Sequence, residues 1–183
     1  MQRTDVRLSK TMARLLRHEP HAHGLVPDAQ GWVDVADLVS ALRALGPRWH
    51  DVGPSQIAAL IQTSSKKRFE IHDGRIRALY GHSYSGGVRK QSERPPALLF
   101  HGTTSVAAAA ILEGGLRPMS RQFAHLSNDV PSAVEVGRRR THEVTVLVVD
   151  AHGAHEAGVA FYKGTDNVWL ADHVPPEFIN RHG

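Results

Sequence analysis

The residues best equipped for chemistry in this chain are arginines: Arg17, Arg68 and Arg121, with Arg138 to Arg140 behind them. Guanidinium forks grip phosphate through paired N–H bonds and stay charged at any working pH. Arg17 and His18 close a run in which Lys10, Arg14, Arg17 and His18 recur at i, i+4, i+7 and i+8, on one face of a helix. Cations stacked this way repel one another unless an anion sits among them; a solvated basic stripe is the alternative. The other chemical stretch is His101-Gly102-Thr103-Thr104-Ser105, which follows the apolar run Leu98-Leu99-Phe100. Gly102 has no Cβ and lets a backbone or a flat ligand come close. The imidazole and hydroxyls beside it can fasten a ligand, or Thr and Ser can simply cap the helix that follows.

Other chemistries lack their residues. With no cysteine, thiolate metal sites and disulfides are excluded. His18, His21 and His23 lie close together, but around a proline and without a His-Glu-x-x-His helix, so no metal is expected. Gly102-Thr103-Thr104-Ser105 lacks the lysine of a phosphate-binding loop, and Gly-x-Gly-x-x-Gly is absent. A dinucleotide bound here is therefore not held in the Rossmann manner. Gly-x-Ser-x-Gly is missing too, which argues against a serine hydrolase. The second half offers no evident glutamate placed to activate an acceptor.

These residues need elements to position them. Leu8, Met12, Leu15 and Leu16 share the apolar side of a helix that ends before Pro20. A turn at Asp28–Gly31 leads into a short strand, Trp32–Val35, then a helix through Leu38, Val39, Leu42 and Leu45. A third helix is predicted over Ser55–Thr63. Asp73-Gly74 then signals a two-residue hairpin in which Phe69 faces Ala78 and Ile71 faces Ile76 on the buried side. Three helices followed by a basic hairpin is the order of a winged helix. Residues 83–96 are rich in Gly, Ser and Pro and read as a linker between lobes 1–82 and 97–183. In the second lobe a helix follows around Pro131–Arg140. Glu143–Asp150 is the clearest buried strand, and the tail adds another strand and turn. The fold class expected is α+β.

Composition sets the limits. The 183 residues are 41% hydrophobic, ordinary for a globular chain. No apolar run approaches a membrane span, and no apolar signal core follows the N-terminus, so the cytoplasm is expected. The net charge of +4 is uneven: residues 1–94 hold 15 Lys/Arg against 9 Asp/Glu, residues 95–183 hold 7 against 9. A basic first half suggests that a polyanion meets it.

The motifs Leu8-Ser-Lys, Leu16-Arg-His18, Asp28-x-x-Gly-Trp-Val33, Lys67-Arg-Phe-Glu-Ile71, Arg77-Ala-x-Tyr-Gly-His-Ser83, His101-Gly-Thr103, Gly115-Leu-x-Pro-Met-x-Arg121 and His125-Leu-Ser127 occur in that order. Together they resemble the NAD-dependent RNA (tRNA) 2′-phosphotransferases over nearly the whole chain. The resemblance implies a winged-helix N-terminal lobe that meets RNA and a C-terminal lobe like that of ADP-ribosyltransferases. It carries the catalytic set onto Arg17, His18, Arg68 and Arg121. The nucleotide pocket carries over to His101, Gly102, Thr103, His125 and Ser127, with Arg139 as a further pocket candidate. NAD is then a co-substrate consumed in the reaction, the partner is an RNA bearing an internal 2′-phosphate, and the chain is expected to act as a monomer without a metal.

In that family the RNA 2′-phosphate attacks C1″ of NAD and expels nicotinamide. O2″ then attacks phosphorus, leaving a 2′-hydroxyl on the RNA and ADP-ribose 1″,2″-cyclic phosphate. A phosphate dianion needs no general base, which agrees with the missing glutamate; its charge needs holding and aiming, which suits arginines converging from both lobes. His18 is the candidate for proton handling. The chain departs from the family pattern at Phe123 (usually His), after Arg139 (usually Gly) and at Asn167 (usually Gly). Two rival readings are an ADP-ribosyltransferase that caps nucleic-acid 5′-phosphates and a non-catalytic winged-helix regulator that senses NAD.

Overall fold

A computed structural model describes residues 3–183. It is a mixed helical and antiparallel-sheet fold that separates into two compact units, one running to Arg89 and the other from Lys90 to Gly183. Each has its own apolar core.

In the first unit, helix α1 (Arg3–Arg17) buries Leu8, Met12, Leu15 and Leu16 at 5% exposure or less. The opposite side carries Lys10, Arg14, Arg17 and His18, with Asp5 in the first turn and Arg14 and Arg17 in the last, as the helix dipole favours. Strand β1 (Val33–Asp34) is shorter than the sequence suggested: Asp34 takes an extended conformation (φ −68°, ψ 138°) and serves as N-cap, so Val35 already begins helix α2 (Val35–Ala44). Helix α3 (Pro54–Thr63) starts with proline at its first position, where the missing N–H costs nothing.

Strands β2 (Phe69–His72) and β3 (Arg75–Ala78) pair in the expected register, Phe69 opposite Ala78 and Ile71 opposite Ile76. The turn places Asp73 at φ 47° and Gly74 at φ 73°, both left-handed, as a two-residue hairpin turn requires. One expectation fails. Ile76 is fully buried, but Ile71 is exposed. The sheet order is β1-β3-β2, so Ile71 lies on an edge strand, one residue pair from the turn, whereas Ile76 lies on the central strand.

The hairpin is also less basic than its composition. Arg75 pairs with Asp28 (3.0 Å) and reaches Asp34 (3.9 Å); Arg77 pairs with Glu70 (2.8 Å) and lies over the Trp32 ring at 4.4 Å. Asp28 ties the turn together, accepting the N–H groups of Gln30 (2.8 Å) and Trp32 (3.0 Å). Burial pushes its carboxyl pKa up, but those two N–H bonds and Arg75 outweigh burial and hold it below the usual range. The start of the stretch read as a linker packs on this unit: Val88 is buried and the Arg89 N–H donates to the Ala29 carbonyl.

The second unit is a six-stranded antiparallel sheet in the order β7-β8-β5-β4-β6-β9. Its strands are β4 (Leu98–Thr103), β5 (Ala124–Ser127), β6 (Thr145–Asp150), β7 (Phe161–Thr165), β8 (Val168–Ala171) and β9 (Ile179–Arg181). Helices α4 (Ser105–Gly114), α5 (Val130–Gly137) and α6 (Ala151–Glu156) accompany them. Leu99, Leu126, Leu147, Val149, Phe161 and Trp169 are buried together. β4 and β6 pair along six residues, Leu98 with Asp150 to Thr103 with Thr145, which makes them the sheet's spine. Among the described residues no helix is long and apolar enough to cross a membrane.

Candidate functional site

In the first unit the end of α1 is fastened by the chain that leaves the hairpin. The Arg17 guanidinium lies 4.8 Å above the Tyr80 ring and 5.8 Å from the Phe69 ring centroid. Such stacking is worth about 1–2 kcal/mol where the cation is partly desolvated. Gly81, at φ 89°, runs directly beneath the arginine stem; a Cβ there would stand 3.4 Å from Arg17 Cδ. The Ser83 N–H donates to the Arg17 carbonyl (2.8 Å), and Ser83 Oγ lies 2.7 Å from His18 Nδ1. That bond commits Nδ1 of the His18 ring to Ser83. Tyr80, Gly81 and Ser83 therefore set the rotamers of Arg17 and His18. The sequence displayed this segment as a motif, but nothing in its spacing revealed which side chains it would hold.

Arg17, His18 and Arg68 line one cleft of about 290 Å³, together with Lys10, Arg14 and the buried Ser9. Arg68 comes from the chain just before β2, at the base of the hairpin. The basic face of α1 is thus one wall of a cavity. A carboxylate the helical pattern did not place beside it, Glu19, stands 3.6 Å from Arg14 and 3.5 Å from His23. The cleft can hold an anion with several negative charges, the guanidinium groups supplying forked N–H donors and His18 a titratable one.

In the second unit His101 on β4 donates Nδ1–H to the His125 carbonyl on β5 (2.9 Å), and His125 donates Nδ1–H to the Phe123 carbonyl (2.9 Å). A carbonyl only accepts, so both tautomers follow, and in neutral His101 Nε2 is the acceptor. Burial pushes the His101 pKa below its ordinary value; the bond to the His125 carbonyl opposes this, and the charge of Arg140 adds to it. Of the three arginines after α5, Arg140 is the one whose charge reaches His101. Arg139, the expected pocket residue, is exposed in the same turn.

Ser127 is buried on β5, opposite Phe100 of β4, and Thr103 is buried at the end of β4. Thr104 caps α4, accepting the Ala107 N–H on Oγ1 (3.1 Å), so the capping alternative holds for that hydroxyl. For Gly102 the close approach is to backbone: a Cβ there would meet the Ala133 carbonyl oxygen of α5 at 1.9 Å. Phe123, where an imidazole was usual, is buried against Tyr162 with ring centroids 4.8 Å apart, a packing role. Arg121 is exposed in a turn closed by its own N–H on the Pro118 carbonyl (3.2 Å), two residues after Met119 at φ 58°. Among the described residues no group of three or more metal-ligating side chains occurs.

Residues 3–173 match the family model described as RNA 2′-phosphotransferase, Tpt1 / KptA family. A probable RNA 2′-phosphotransferase of Acetivibrio thermocellus is 44% identical over 173 residues, 94% of either chain. Proteins of the same name are 39% identical in Thermococcus kodakarensis, over 94% of either chain, and in Streptomyces coelicolor, over 97% of this chain and 96% of that one.

Proposed function

The chain belongs to the RNA 2′-phosphotransferase, Tpt1 / KptA family, and from this we propose that it transfers the internal 2′-phosphate of an RNA to NAD. The observation that carries the reading is the cleft that gathers Arg17, His18 and Arg68. Three groups of this kind suit a phosphate dianion, which must be held and aimed rather than activated. Bound as co-substrate, NAD supplies the electrophilic C1″ with nicotinamide as leaving group, and a ribose hydroxyl for the second displacement. The RNA phosphate is the nucleophile in the first step. In the second its phosphorus is attacked and the RNA leaves with a 2′-hydroxyl, giving ADP-ribose 1″,2″-cyclic phosphate.

Arg17 and Arg68 hold the charge that builds on phosphorus, Arg121 is assigned to the same task by its motif, and His18 moves the proton through Nε2. The polar groups of β4 and β5 fit a nucleotide. Thr103 and Ser127 offer hydroxyls, and His101 offers an Nε2 acceptor on a ring fixed from behind. His125 belongs to the same set, its ring fixed by the Phe123 carbonyl. Because Gly102 is covered by α5, its part there is to let the strand and helix close up. The helix order and three-stranded sheet of the first unit support its reading as a winged helix. The second unit is read as the ADP-ribosyltransferase-like lobe.

The test is incubation with an RNA oligonucleotide bearing one internal 2′-phosphate, with and without NAD. A dephosphorylated RNA, free nicotinamide and the cyclic phosphate are expected only with NAD, and Arg17→Ala should abolish all three. Nicotinamide release with a stable ADP-ribosylated RNA 5′ end, and with neither dephosphorylated RNA nor cyclic phosphate, would support the capping reading instead.

A further inference from the structure

The cleft on α1 is larger and more cationic than one phosphate requires. Its volume of about 290 Å³ is close to ten times the ~30 Å³ that a water takes in the liquid. Its lining runs from Val6 to His18, about 18 Å of helix. Arg17 and His18 at the helix's C-terminal end, with Arg68 in the same lining, match a phosphate dianion. Lys10 and Arg14 line the same cleft further up the helix and match nothing in the reaction.

Lys10 and Arg14 stand at i and i+4, where side chains lie about 5–6 Å apart, room for each to take its own anion. Ser9 and Ala13, each one position before them, are small and line the cleft beside them. Lys10 makes no ion pair among the described residues. Arg14 is held by Glu19 at 3.6 Å in a pair that is about half exposed on both sides, a kind of pair that is weak and readily exchanged. Two single positive charges, spaced along a groove that leads away from a dianion site, suit two phosphodiesters of a strand.

We propose that Lys10 and Arg14 hold successive internucleotide phosphates of the RNA beside the reacting 2′-phosphate, so that the α1 cleft is a track for a short RNA strand. The proposal rests on the 2′-phosphotransferase reading and names how that site selects a polymer over a nucleotide. Glu19 competes with the RNA for Arg14 and tempers its grip.

The experiment compares the full chain with Lys10→Ala/Arg14→Ala and with Glu19→Gln. The substrates are an RNA hexanucleotide with one internal 2′-phosphate and a nucleoside 2′-monophosphate, which has no neighbouring phosphodiester. The double variant should raise KM for the hexanucleotide tenfold or more and alter kcat/KM for the nucleoside less than twofold. Its log kcat/KM should fall less steeply with log salt, by about 1.4 for two single-strand contacts at ~0.7 each. Glu19→Gln should act in the opposite direction, lowering KM for the hexanucleotide, a gain that a damaged fold does not produce. Equal losses on the two substrates, or no loss on either, overturn the proposal. Should the wild type leave the 2′-phosphate untouched, the functional reading fails. Fluorescence anisotropy with an unmodified RNA hexanucleotide then decides the track separately: a shallower salt slope in the double variant supports it, and identical slopes overturn it.

Discussion

His18 illustrates how much of a site depends on a residue distant in sequence. Its imidazole follows Arg17 on α1, but its orientation comes from Ser83, 65 positions later, at 2.7 Å. Ser83→Ala should lower turnover on 2′-phosphorylated RNA by about tenfold to a hundredfold through lost alignment, and Ser83→Thr should recover most of it. The His18 ring signals in NMR should shift in the alanine variant with KM for NAD unchanged, which separates a positioning role from general damage. His101 gives a second residue-level expectation. Its folded pKa lies below the ordinary 6.5, so as pH falls the unfolded chain takes up the proton first. The stability that neutral His101 contributes is therefore complete above about pH 6.5 and is lost as pH falls toward the folded pKa. Urea titrations from pH 5 to 8 should show a shallower pH dependence in His101→Gln than in the wild type.

Helices and strands were legible where pattern and burial agree. Leu8, Met12, Leu15 and Leu16 drew α1 by their spacing, and Asp73-Gly74 fixed the register of β2 with β3 because that turn accepts two left-handed residues. Ile71 obeyed the alternation but not the burial, since alternation says which face a residue takes and not whether a helix covers it. Strand β7 and helix α6 escaped notice: Phe161–Thr165 has a glycine and a lysine in five residues, and α6 spans only six. The charge of Arg75 and Arg77 misled for a different reason, because Asp28, Asp34 and Glu70 come from other parts of the chain to neutralise it. At Gly102 the sequence left both ligand and backbone as candidates, and only the fold shows α5 crossing there. A methyl group at that position must displace the helix, so Gly102→Ala should destabilise the second unit by about 3 kcal/mol. The check is chemical denaturation followed by Trp169, which lies in that unit's core.

Two cores in one chain make an expectation about the molecule as a whole. Residues 1–89 and 90–183 each bury a separate apolar cluster, so each fragment, expressed alone, should unfold cooperatively in urea. The basic cleft belongs wholly to the first, and RNA affinity with its salt dependence should stay with fragment 1–89 in anisotropy measurements. The segment 80–83 adds a matter of timing. Because Tyr80, Gly81 and Ser83 brace the end of the first helix, a ribosome must finish nearly all of the first unit before the arginine and histidine translated near the start acquire their working posture. A nascent chain halted at residue 79 would carry all three helices and the hairpin of that unit, yet present those two side chains unbraced.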